Sequence, residues 1–173
     1  MMPSQRKLGA FTFLVIISVC VAIPAFAFQN EPDGFRGIKW GTNISELPDM
    51  SLFEVYGNSK FYLRKGDKLK IGDAHIDRIG YGFYEGRFNK LFIIYKGSLN
   101  FTKLKDIFFG QYGQGSKPNR FMEQYYWVGE TLSIAFEHSE IRNEGKIVYT
   151  YDPVSNEKEA DSKEKAKEGA KDL

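Results

Sequence analysis

Cysteine is almost missing from this chain, with Cys20 alone among 173 residues. One thiol makes no internal disulfide. Histidine is nearly as scarce, and the pair present, His75 and His138, are too few ligands to make a metal site by themselves. Residues 28 to 153 hold 17 Lys and Arg against 16 Asp and Glu, so no surplus of one charge demands nucleic acid as a partner. No serine occupies a G-x-S-x-G turn, which leaves nucleophilic catalysis without a foothold. The run Gly110-Gln111-Tyr112-Gly113-Gln114-Gly115 echoes a phosphate loop but closes a helix instead of opening one, away from the N–H groups that would meet a phosphate. No cofactor and no metal is implied.

What is present begins with Arg6 and Lys7, then the apolar run from Leu8 to Ile23, then Pro24-Ala25-Phe26-Ala27. Charged, apolar and small-residue regions in that order read as a cleaved secretory signal over residues 1–27. Ala25 and Ala27 suit a peptidase that accepts small side chains, which puts the cut between Ala27 and Phe28. Two alternatives are an uncleaved N-terminal membrane anchor, since about 20 apolar residues span a bilayer, and a lipoprotein acylated at Cys20. Cleavage after Ala27 removes the only cysteine. A cysteine-free exported domain fits a bacterial periplasm, or secretion from it, better than a disulfide-dependent eukaryotic route. The sequons at Asn43 and Asn100 then carry no glycan, and both asparagines read as helix N-caps.

Residues 28–153 read as one α+β domain, built as a single antiparallel sheet of β-meanders with one main helix and a short N-terminal helix packed on it. Ile79, Tyr81 and Phe83 alternate with polar or small residues, Glu85-Gly86 makes a turn, and Phe88, Phe92 and Ile94 follow. That is a hairpin with Phe83 opposite Phe88 and Ile79 opposite Phe92. Leu91 to Tyr95 is apolar on both faces, which makes it a central strand. Phe101, Leu104, Ile107, Phe108 and Tyr112 recur at helical spacing and Gly113 ends the helix. Strands over 121–128, 132–136 and 146–151 complete a meander. Ahead of them come a short helical turn limited by Pro48 and strands near 60–65 and 74–84, an order that suggests two αβββ-like halves. Residues 154–173 are nearly all polar and charged, and read as a disordered or transiently helical tail.

The aromatic load is the most unusual feature, 24 side chains or about 19% of residues 28 to 153. Most must form the core. Tyr125, Tyr126 and Trp127 are consecutive and cannot all face one side of a strand. With Trp40, Tyr62 and Tyr84 they are the candidate contact residues. Arg64, Lys65, Lys68 and Lys70, with Lys60 nearby, form a cationic cluster suited either to a solvated edge hairpin or to anion or weak membrane-surface contact.

Gly34-Phe35-Arg36-Gly37-Ile38-Lys39-Trp40-Gly41-Thr42, followed by Gly86-Arg87-Phe88, Tyr112-Gly113 and Tyr126-Trp127, resembles a group of uncharacterised small secreted bacterial proteins over residues 34 to 152. That resemblance implies export and brings no activity with it. In layout, a short helix ending in glycine before a β-meander, the chain is also similar to periplasmic domains of outer-membrane assembly lipoproteins and to β-lactamase-inhibitor-like proteins.

These features together point to an exported, non-enzymatic binding or envelope-associated module whose partner is a protein or an envelope polymer. The alternatives are a small metal-dependent or acid–base hydrolase around His75, Asp77 and His138, and a secreted enzyme inhibitor.

Overall fold

Short runs of alternating apolar and polar residues, broken by glycine and asparagine turns, fold this chain mainly into antiparallel strands. The computed structural model describes residues 28–170, so the expected signal over 1–27, including Cys20 and Ala27, lies outside the described residues. In chain order come β1 (Gly34–Phe35), β2 (Ile38–Lys39), β3 (Met50–Tyr56), β4 (Ser59–Arg64), β5 (Lys70–Ile71), β6 (Ala74–His75), β7 (Arg78–Tyr84) and β8 (Arg87–Lys96). They are followed by α1 (Ser98–Tyr112), β9 (Glu123–Val128), β10 (Leu132–Ser139), β11 (Glu144–Tyr151) and α2 (Asp152–Gly169). Seven strands make one antiparallel sheet in the order β3-β4-β7-β8-β11-β10-β9. The α+β class and the large sheet are as the sequence indicated.

The second helix lies at the C-terminus, not the N-terminus. Among the described residues ahead of β3 only a single 3-10 turn forms, Ile44–Glu46, capped by Asn43 and Glu46 in a reciprocal box. Pro48 stops it, because proline disfavours helical geometry in the residue before it. The charged segment after 154 is instead helical as far as Gly169, entered through Asp152 and Pro153, residues suited to a helix's first turn. Val154 is buried, Arg87 pairs with Glu157, and the Tyr84 hydroxyl donates to Asp161. The second half of the domain has the expected helix and three strands. The first half has four strands in the sheet behind the 3-10 turn, and the halves join where β8 pairs with β11.

Glu85 and Gly86 both have positive φ, which gives the tight turn expected between β7 and β8, and Phe83 lies opposite Phe88. Beyond that pair the register slips, so Ile79 faces Ile93 instead of Phe92. Asn89 is the extra residue of this bulge. The slip has a packing consequence: Leu91, Ile93 and Tyr95 turn fully inward toward α1, and Phe92 and Ile94 turn to the opposite face, half-buried. Phe101, Leu104 and Phe108 of α1 are buried against that inward layer. Asn100 is not the N-cap, a position held by Gly97; its side chain accepts from the His75 N–H at 3.0 Å and donates to Lys96 O at 2.7 Å, which ties β6 to α1. On the opposite face α2 covers only the end near the β7–β8 turn, where Asn89 donates to Ser155 at 3.2 Å.

Candidate functional site

The two edges of the large sheet are finished differently. Beyond β9, Ser116 and Tyr126 exchange backbone hydrogen bonds of 2.7 and 2.9 Å, so a loop seals that edge. Beyond β3 no strand follows among the described residues. Every residue from Ser51 to Tyr56 is exposed, and Leu52, Phe53, Val55 and Tyr56 are 50 to 64% exposed. Leu52 and Val55 sit opposite Tyr62 and Lys60 on the α1 face.

A bulge between Leu52 and Glu54 turns Phe53 to the other face, beside Tyr56. There a groove of about 300 Å³ opens, floored by Gly80 and walled by Phe53, Tyr56, Phe61, Leu63, Phe92 and Ile94. Phe61 meets Phe92 edge-on at 5.4 Å and Tyr56 meets Phe61 at 6.1 Å. The Arg78 guanidinium stands over the Phe53 ring, 5.0 Å from its centre, and supplies a cation at the groove. Phe53 and Tyr56 were not singled out in the sequence, and Phe92 was read only as a hairpin residue. The Gly57-Asn58 pair between two β-rich runs is the signal from which β3 can be read.

The cationic residues do come together. Arg64, Lys65, Lys68 and Lys70 line a second cleft, also of about 300 Å³, with Asp49, Asp67 and Arg36. Lys60 lies on β4 outside it. Arg36 was not foreseen, because the β1–β2 ribbon brings it in from a distant part of the chain. Arg64 donates to Asp49 at 2.6 Å and to Arg36 O at 3.1 Å. The Arg64 hydrogen bond holds the Asp49 carboxyl below the usual carboxylate range. Arg36 pairs with Asp67 and donates to Lys68 O at 2.7 Å and Lys70 O at 2.9 Å, which pins the loop. Asp67 also accepts from the buried Tyr81 hydroxyl at 2.7 Å, and burial together with that carboxylate pushes the phenol pKa well up.

The six aromatic candidates do not form one surface. Trp127 and Tyr125 are buried beneath α1, 2% and 7% exposed, and Tyr126 lies half-buried on the opposite face. Trp40 stacks on Phe88 at 4.6 Å and donates to Pro32 O at 2.8 Å. Tyr62 packs edge-on against Phe83 at 5.3 Å, and Tyr84 is buried under α2.

His75 ends β6 and Asp77 lies outside any strand, so the two do not lie together on one strand. Asp77 pairs instead with Lys96 at 3.5 Å. Among the described residues no group of three or more His, Cys, Asp or Glu is placed to hold a metal. No helix among them is long and apolar enough to cross a membrane.

His138 is buried in a stack, 4.4 Å from the Phe101 ring and 5.8 Å from the Tyr95 ring. Its Nδ1 lies 3.4 Å from the Tyr95 hydroxyl and its Nε2 has no partner among the described residues. Burial pushes this imidazole below its ordinary pKa, against the weaker opposing pull of Glu140 and Glu123. A depressed folded-state pKa means stability that is complete above the unfolded value of about 6.5 and lost as pH falls through the folded one. Replacing His138→Phe keeps the stack and removes the titration. Chemical denaturation between pH 7 and pH 5 is therefore expected to show the variant gaining on the wild type as pH falls; an equal loss in both contradicts this.

The geometry defines an antiparallel α+β domain with one sealed edge, one open apolar edge and a basic cleft. Comparison with protein-family models, with curated proteins and with solved structures finds no match.

Proposed function

We propose that this protein is an exported, non-enzymatic binding module that takes an extended segment of a partner protein along the open edge of β3. The observation that carries this reading is the contrast between the edges: one is sealed by Ser116 and Tyr126, and the other presents Leu52, Phe53, Val55 and Tyr56 to solvent. Edge strands are normally blunted by charge, proline or cover. Apart from its bulge, β3 carries one charged residue, Glu54. Single exposed apolar residues are ordinary on a protein surface, but four on one free strand beside an apolar groove mark a contact region.

In strand addition the backbone of the free edge provides hydrogen bonds and neighbouring pockets select side chains. The groove under Phe53 supplies such a pocket, suited to a large apolar side chain, and Arg78 at its rim favours a nearby carboxylate. Export rests on the order of charged, apolar and small residues over 1–27.

The double substitution Phe53→Lys with Tyr56→Lys tests the reading. Both residues are exposed, so stability is expected to stay within about 0.5 kcal/mol of the wild type. Crosslinked complexes recovered from the envelope with the wild type are expected to disappear with the variant. Complexes recovered equally with both contradict docking at this edge.

A further inference from the structure

The basic cleft is separate from the groove, on the α1 side of the sheet, and strand docking makes no use of it. Five cations line it, Arg36, Arg64, Lys65, Lys68 and Lys70, against two carboxylates. Both carboxylates are committed, Asp49 to Arg64, and Asp67 to Arg36 and the Tyr81 hydroxyl. The arginines are thereby fixed in orientation. Arg64 uses Nε and Nη1 for its bonds, and its Nη2 donors have no partner among the described residues. Lys70 pairs with Asp73 at 3.1 Å, whereas Lys65 and Lys68 form no ion pair among the described residues and are exposed. Leu69 stands 48% exposed between Lys68 and Lys70.

A guanidinium with free planar donors, held by its own carboxylate and flanked by exposed ammonium groups, matches the oxygens of a phosphate group in geometry and charge. We propose that this cleft binds a phosphate group, presented either by an anionic lipid headgroup or as free phosphate. Arg64 supplies the oriented donors, and Lys65 and Lys68 supply the neutralising charge. Where the phosphate belongs to a lipid, Leu69 enters the headgroup region beside it.

The test uses the protein purified from producing cells and its Lys65→Ala/Lys68→Ala variant, which removes no ion pair seen in the fold. Inorganic phosphate, compared with chloride at equal ionic strength, is titrated while the backbone amides of residues 64–70 are followed by NMR. In parallel, co-flotation is measured with vesicles of phosphatidylglycerol and of phosphatidylcholine. Phosphate-dependent shifts together with flotation on phosphatidylglycerol alone, weakened at least about tenfold in the variant, support the headgroup as source. Shifts lost in the variant without flotation support free phosphate. No shift with phosphate, or binding that the variant leaves unchanged, overturns the proposal. None of these residues lies in the β3 groove, so either site can fail without the other.

Discussion

Trp127→Ala is expected to destabilise the fold by about 3–5 kcal/mol, the range for truncating a large buried aromatic. Its indole is 2% exposed, lies 5.8 Å from the Phe108 ring, and donates to Gly113 O at 2.9 Å, where α1 ends. The substitution therefore opens a cavity and removes the hydrogen bond that ties the end of α1 to β9. Phe121, 82% exposed in the loop before β9, provides the comparison, and Phe121→Ala is expected to stay within about 0.5 kcal/mol of the wild type. Urea denaturation of both variants checks the pair. A mild effect at Trp127 would mean that this side chain is not the core element described above.

Gly145→Ala is expected to cost about 1–3 kcal/mol through overpacking. In the sheet Gly145 lies between Tyr95 on β8 and His138 on β10. A Cβ there would overlap the Tyr95 ring and hydroxyl and stand 2.5 Å from the Glu137 carbonyl oxygen. Tyr95 cannot swing aside, because it is fully buried in contact with His138 and Phe136. Shortening the tyrosine relieves the clash, so Tyr95→Leu/Gly145→Ala is expected to be less destabilised than the two single losses added together. Strict additivity in denaturation experiments would contradict the steric account.

Local chemistry made some of this legible from the sequence. The Glu85-Gly86 turn sets Phe83 opposite Phe88, and the spacing of Phe101, Leu104 and Phe108 marks the buried side of α1. Features that depend on distant partners were not legible. The Asn89 bulge decides whether Phe92 or Ile93 faces the core, and nothing in the local pattern reports the extra residue. Helix α2 has almost no apolar residues of its own; its anchors Tyr84 and Arg87 lie some seventy residues earlier. The same division applies to the sites. Arg64, Lys65, Lys68 and Lys70 are near neighbours in sequence and were read as a cluster, while Arg36 arrives through the fold. β3 escaped notice because its bulge puts Leu52 and Phe53 side by side, which breaks the alternation of a half-buried strand.

Photo-crosslinking in producing cells addresses docking at the open edge of β3 most directly. A photoreactive residue is placed at position 53, above the groove, and in a second strain at position 141, where Ile141 is 98% exposed in the turn between β10 and β11. One recurrent protein adduct from position 53, absent from position 141, is the predicted result. No adduct from position 53, or the same adducts from both positions, would contradict docking at β3.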